Sequence, residues 1–226
     1  QLGKVLGQGA HGVVHHALDL VSGESFAVKV TEDSPELRQE LDMYQQLEHD
    51  HVVSYLGHDV RDRQLYIFLE YMPEGTLRDK LSEYGAFPED LCGALAIQVL
   101  RGLEYLHERH IVHRDLKCSN LLLDVSGRVK IADFGCSRRM SKESQANTFA
   151  GSPLWLAPEL LSGGSYDQSV DIWSFGCTVV ELLTAKPPWH AQIDAENGFA
   201  AVMQIRERTS RGDRPGLAGP PAAPDG

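Results

Sequence analysis

Cysteine is scarce. The four residues, Cys92, Cys118, Cys136 and Cys177, include no CxxC pair, so they read as reduced thiols, with neither a disulfide framework nor a zinc site. Long apolar runs are absent too. The longest, around Ile172 to Leu183, is too short to span a bilayer and carries Glu181, and the N-terminus lacks a basic segment leading into an apolar one. No membrane partner is expected. Positive charge is in deficit, with 21 Lys and Arg against 32 Asp and Glu and a net charge of -11. Nucleic acid, which needs a basic face to meet its phosphates, is therefore not the expected partner either. What remains, 42% hydrophobic and 23% charged over 226 residues, suffices for one large core or two small ones and excludes global disorder. A cytoplasmic protein is the expectation.

The chemistry is concentrated in a few stretches. His113-Arg114-Asp115-Leu116-Lys117-Cys118-Ser119-Asn120 brings a carboxylate, an ammonium and a carboxamide into one short loop between apolar runs. Such a set suits a phosphate, a metal ion and a hydroxyl together. Upstream, strands over Leu2 to Leu6 and Val13 to Leu18 flank Gly7-Gln8-Gly9-Ala10-His11-Gly12. A dinucleotide-binding turn would open a helix at its third glycine. Here β-branched residues follow Gly12 and lead into a strand, which favours a glycine flap over nucleotide phosphates.

A third strand, Ser25 to Val30, follows the Ser22-Gly23 turn and sets Lys29 among apolar neighbours, where its ammonium needs an anion. Phosphate oxygens or a carboxylate can supply it. The carboxylate favoured is Glu40, with Glu36 the competitor, on a helix begun by Ser34-Pro35 whose apolar stripe is Leu37, Leu41, Tyr44 and Leu47. Strands Val52 to Gly57 and Gln64 to Glu70, joined at Arg61-Asp62-Arg63, complete a five-stranded antiparallel sheet. Beyond them a helix over Pro88 to His107 presents Leu91, Leu95, Val99, Leu103 and Leu106 on one face. Short strands over Leu121-Leu122-Leu123 and Val129-Lys130-Ile131 then lead to Asp133-Phe134-Gly135.

Taken in order, the glycine-rich turn, Lys29, the HRDLKCSN loop and Asp133-Phe134-Gly135 resemble the protein kinase signature set, from about Leu2 to Trp189. The resemblance implies an α+β, two-lobed fold, with an N-lobe over 1–71, an incomplete, mainly helical C-lobe over 72–208 and a Pro/Gly-rich disordered tail over 209–226. It implies ATP and Mg2+ as cofactors. Asp115 would orient the acceptor hydroxyl, Lys117 would reach the transferred phosphate, and Asn120 and Asp133 would hold the metal. Leu6, Gly7, Gly9, Gly12, Val14, Ala27, Lys29, Glu40, Leu69, Glu70, Met72, Leu122 and Asp133 would bind the nucleotide. Backbone groups of Glu70 and Met72 would face adenine, with Leu69 as gatekeeper. The HRDLK form resembles serine/threonine kinases. His113 is expected to be a packed structural residue beside Phe134, Asp171 to hold the catalytic-loop backbone, and Ser152 to bond Asp115 and Lys117. Ser144 and Thr148 are the candidate phosphosites, with Arg114 and Arg138 or Arg139 to receive the phosphate. His11 departs from the aromatic residue usual at the flap tip.

Gly151-Ser152-Pro153-Leu154-Trp155-Leu156-Ala157-Pro158-Glu159, Ile67 to Pro73 and Asp133 to Ser137 look like the mitogen-activated protein kinase kinase kinases. A downstream kinase is the implied protein substrate. After Lys186-Pro187-Pro188-Trp189 and a helix from Ala195 to Arg206 the pattern stops, without the arginine that pairs with the glutamate matching Glu159. Opening on its first strand without a methionine, the chain is expected to be an excised domain or an incomplete gene model. The rival reading is a catalytically silent, kinase-like binding module.

Overall fold

A computed structural model describes residues 1–9, 12–134, 137–139, 152–162, 165–193 and 198–216. Five strands form the first sheet: β1 (Leu2–Gly9), β2 (Gly12–Leu18), β3 (Ser25–Glu32), β4 (Tyr55–Arg61) and β5 (Gln64–Glu70), in the spatial order β1-β2-β3-β5-β4 and antiparallel throughout. Asp62 and Arg63 join β4 to β5 with φ of 51° and 64°, the twist-matched hairpin turn that needs positive φ at both central positions. Against this sheet lies α1 (Pro35–Tyr44), whose Leu41 packs with Leu65 and Ile67 of β5. The expected stripe thus does what its spacing implies, with Leu47 joining the larger core below.

That core is built around α3 (Glu89–Glu108), which buries Leu95, Val99, Leu103 and Leu106. Over it lie α2 (Leu77–Tyr84), β6 (Ile111–Val112), the β7 (Leu121–Leu123) and β8 (Val129–Ile131) hairpin, and α5 (Ser169–Thr184). The short strand β9 (Arg138–Arg139) pairs with β6, α4 (Pro158–Leu161) precedes α5, and α6 (Gly198–Ser210) packs its Ala201 and Ile205 with Trp189 and Leu161.

Three elements differ from expectation. β4 begins at Tyr55, not Val52, because Val52 bridges to Ile131 and the Val53 N–H donates to the Ile131 carbonyl at 2.9 Å. These residues therefore pair with β8 and not with β5. The helix α2 was not expected, yet Thr76 and Asp79 form a reciprocal capping box at its start, a signature visible in the sequence as Thr-x-x-Asp. Finally α6 runs to Ser210, past Arg206, and Arg208 pairs with Asp213 at 3.4 Å. Arg214 lies over the Trp173 ring at 5.4 Å and bonds the Gly212 and Asp213 carbonyls.

Candidate active site

Register sets the upper wall. Val14 pairs with Lys29, and Ala27 with Leu69, so by alternation Val14, Ala27, Lys29 and Leu69 share one face of the sheet. Above them Gly7 pairs with Val14, and Gly9 with Gly12, which closes the glycine-rich turn. Gly12 has φ of +115°, and a Cβ there would sit 2.3 Å from the Val30 carbonyl oxygen, so only glycine fits. Leu6 is exposed on β1. Ala10 and His11 at the tip lie outside the described residues.

The Lys29 ammonium bonds Asp133 Oδ1 at 2.7 Å, joining the sheet to the segment after β8. Here its anion is thus Asp133. Glu40 stands on α1 as expected, but its side chain, like that of Glu36, lies outside the described ones. On the far side of the cleft Met72 is buried, and Leu122 bridges to Thr76 while the Leu123 N–H donates to the Gly75 carbonyl at 2.9 Å. Glu70 does more than end β5. Both its carboxylate oxygens accept from Lys130 Nζ, at 2.8 and 2.7 Å, and one also accepts the Ser54 N–H. Burial pulls this carboxyl upward, but Lys130 and the Ser54 amide outweigh it and leave the group below its ordinary range.

The lower wall is the HRDLKCSN loop. Asp171, fully buried on α5, accepts the N–H groups of His113 and Arg114 at 2.8 Å each and the His107 ring at 2.8 Å. This carboxylate holds Arg114 at φ of 66°, outside the ordinary right-handed regions. His113 packs its ring edge against Phe134 at 5.2 Å and meets the Ala132 carbonyl through Nε2 at 3.0 Å, the structural role expected of it. Phe134 in turn meets the Tyr44 ring of α1 at 5.0 Å.

Asp115 is 6% exposed, and its carboxylate is fully oriented. Oδ1 accepts the Ser152 N–H at 2.8 Å, and Oδ2 accepts Lys117 Nζ at 2.9 Å and Asn120 Nδ2 at 3.0 Å. Lys117 also bonds the Ser152 hydroxyl at 2.5 Å. Asp115, Lys117, Asn120 and Ser152 thus converge on one spot, the lysine reaching the serine's side chain and the carboxylate its backbone. Arg114 is buried and bonds the Tyr166 hydroxyl at 3.2 Å. Ser144 and Thr148 lie outside the described residues, as do the side chains of Arg138 and Arg139.

A hard divalent cation needs oxygen donors, and two candidates lie on segments that a backbone hydrogen bond joins. The Ala132 N–H donates to the Asn120 carbonyl at 2.9 Å, which sets Asp133 next to Asn120. With its Nδ2 committed to Asp115, the Asn120 carboxamide turns its oxygen elsewhere. A neutral and a charged oxygen fit magnesium, whereas no group of three His, Cys, Asp or Glu suited to a metal occurs among the described residues. Nor is any helix among them long and apolar enough to cross a membrane.

Sequence reasoning missed the Glu70–Lys130 pair and also Glu181, a buried carboxylate on α5. Neither belongs to a short motif. Only the rarity of a charge inside an apolar run signals them.

The protein kinase domain family model matches residues 1–216. The chain belongs to the protein kinase family. This kinase is 42% identical over 219 residues, 90% of its length, to mitogen-activated protein kinase kinase kinase 3 of Homo sapiens. It is 43% identical over 199 residues, 83% of its length, to mitogen-activated protein kinase kinase kinase YODA of Arabidopsis thaliana. To cytokinesis protein sepH of Aspergillus terreus it is 44% identical over 194 residues, 84% of its length. The matched regions are 34%, 22% and 14% of those proteins, so the chain spans about a third of these relatives' length at most.

Proposed function

We propose that the chain transfers the γ-phosphoryl group of ATP to serine or threonine of a downstream kinase in a mitogen-activated protein kinase cascade, in the cytoplasm, with an N-lobe over 1–71 and a C-lobe from 72. The observation that carries this is the orientation of Asp115 by Lys117, Asn120 and Ser152. A carboxylate so held can fix an acceptor hydroxyl and take its proton late, as the acceptor oxygen bonds to phosphorus and the bond to the β-phosphate oxygen breaks, releasing ADP. Lys117 places a positive charge beside the Asp115 carboxylate, where it can screen the transferred group. Lys29, already paired with an anionic oxygen, is suited to phosphate oxygens, under glycines whose lack of side chains admits close approach. Magnesium, held by the Asn120 and Asp133 oxygens, would neutralise phosphate charge. The partners are therefore ATP and a protein hydroxyl. The cascade assignment draws on the relatives' names and on the HRDLK and GSPLWLAPE stretches.

The test is label transfer from ATP with magnesium to an acceptor protein, after a melting curve with and without nucleotide. Asp115→Asn should lower kcat by roughly 10²-fold or more, the scale of a positioned base, while keeping the nucleotide-dependent melting shift. A melting shift without transfer in the unaltered chain would replace this reading with that of a binding module.

A further inference from the structure

The stretch between α1 and β4 carries two histidines that the phosphoryl-transfer scheme does not use, His49 and His51. His51 is buried and meets β8 twice: its ring Nδ1 lies 2.9 Å from the Val129 carbonyl, and its own carbonyl accepts the Ile131 N–H at 2.9 Å. The His51 N–H donates to His49 Nδ1 at 3.1 Å. A ring nitrogen that accepts cannot carry a proton, so this bond requires the neutral imidazole with its proton on Nε2. The imidazolium offers two donors and no acceptor. Protonation and this hydrogen bond therefore exclude each other.

The surroundings of His49, which is half-buried, oppose a charge on it. Its ring stacks on Tyr105 of α3, with centroids 4.6 Å apart and planes inclined by 18°, and the Arg109 guanidinium already lies over the Tyr105 ring at 3.7 Å. The Tyr105 hydroxyl accepts the Glu48 N–H at 2.8 Å, which fixes that ring beside the stretch. His51 is an edge-on neighbour of His49 at 5.6 Å. Against these stand two carboxylates: Glu104 on α3, and Asp50, which Arg128 already pairs at 2.9 Å. Burial first, then His51 and Arg109, outweigh Asp50 and Glu104 and hold the His49 ring below the ordinary histidine range. Folding thus disfavours the protonated ring. Stability is whole above the ordinary histidine range and is lost as pH falls from that range through the depressed value, because there the unfolded chain binds a proton that the folded one refuses.

We propose that His49 is an acid-sensitive latch: a proton taken from solvent turns its Nδ1 from acceptor to donor, releases the His51 N–H and loosens the contact of this stretch with β8. Because β8 ends at Ile131, two residues before Asp133, the loosening reaches the carboxylate that meets Lys29. The consequence for nucleotide rests on the function proposed above; the latch itself does not.

Two variants separate the bond from the charge. His49→Asn keeps an oxygen able to accept the N–H two residues on, as asparagine does in Asx-turns, and has no proton to gain. His49→Phe keeps a ring for Tyr105 and removes the acceptor at every pH. The first readout is protection of the His51 amide in the 15N-labelled full chain, with hydrogen exchange corrected for the intrinsic rate at each pH. From about pH 7.5 to about pH 5, a range that brackets ordinary histidine titration, protection should fall about fivefold in the unaltered chain, the scale of one neutral hydrogen bond. It should stay level in His49→Asn and be low throughout in His49→Phe. The second readout is the melting shift with ATP and magnesium. Over the same range the apparent nucleotide affinity should fall about fivefold more in the unaltered chain than in His49→Asn. His51, His107 and His113 are common to both proteins, so their titration cancels in this comparison.

Parallel pH profiles of His51 protection in the unaltered chain and His49→Asn overturn the latch. So does a His49 ring that NMR shows protonated on Nδ1 at neutral pH. If His49→Phe does not melt cooperatively, the other two proteins decide alone: diverging protection supports the latch, and parallel protection overturns it. Diverging protection with equal nucleotide affinities overturns the reach to Asp133. Diverging protection in a chain that shows no nucleotide-dependent melting shift at any pH overturns the proposed function and leaves the latch standing.

Discussion

Lys29 and Asp133 meet at 2.7 Å across the cleft, with side-chain exposures of 11% and 36%. The lysine's positive charge stands between Asp133 and the cleft, so removing it takes away the attraction for an incoming phosphate and leaves the Asp133 carboxylate there without it. Lys29→Met should therefore sharply reduce the nucleotide-dependent melting shift, whereas Asp115→Asn should retain it. An equal loss in both variants, seen by differential scanning fluorimetry, would contradict separate tasks for the two walls. The residues behind this division were legible because each sits in a short pattern whose spacing survives without knowledge of the fold. His113, Asp115, Lys117 and Asn120 share one loop, and the hydrogen bonds among them span few residues. Glu181 was legible only as the charge that spoils an apolar run. Its partners Cys118 and Trp155 are far away in sequence, and no local rule connects them.

Among the elements, α3 offers an internal contrast between two glycines. At Gly102 an added Cβ would lie 2.7 Å from the His51 carbonyl oxygen and 2.8 Å from Ile131 Cδ1, while at Gly93 it would meet nothing within 4 Å. Alanine is the better helix former by about 1 kcal/mol, so Gly93→Ala should raise stability by that order. Gly102→Ala should instead lower it by about 1–3 kcal/mol, since overpacking against backbone outweighs propensity. Urea unfolding midpoints of the two variants should move in opposite directions. Likewise Thr76→Ala should cost about 1 kcal/mol through loss of the α2 capping box. The long elements were legible from periodicity: α3 was expected over Pro88 to His107 and is found over Glu89–Glu108. The start of β4 was not, because the apolar pair Val52-Val53 reads equally well as strand. Which strand it joins depends on the distant Ile131.

At the scale of the molecule, Glu70 and Lys130 tie the end of the first sheet to the β7–β8 hairpin. Folding depresses the Glu70 carboxyl, so this contribution to stability is complete above the ordinary carboxylate range and is lost as pH falls through the depressed value. Glu70→Gln should accordingly flatten the acid limb of stability below the ordinary carboxylate range, measured by urea unfolding at a series of pH values. Identical acid limbs in the two proteins would show that other carboxylates govern it. The described cysteines Cys92, Cys118 and Cys177 are all buried, and burial pushes the Cys177 thiol up to about 12. Thiolate chemistry at neutral pH is thereby excluded at Cys177.

The backbone at His51 to Val53 belongs by sequence to the approach to β4, but by hydrogen bonding to β8: the Ile131 N–H donates to the His51 carbonyl and the Val53 N–H returns to Ile131, each at 2.9 Å. Gly102 lets this stretch sit directly on α3. The upper sheet is therefore fastened below here and where the chain leaves β5 at Glu70, besides the Lys29–Asp133 ion pair across the cleft. With that ion pair opened, a body pinned at the two remaining points keeps one freedom, rotation about the line through them. Opening and closing of the cleft should thus proceed as a door swings on its pivots, with the glycine-rich edge travelling farthest and the pivots hardly moving.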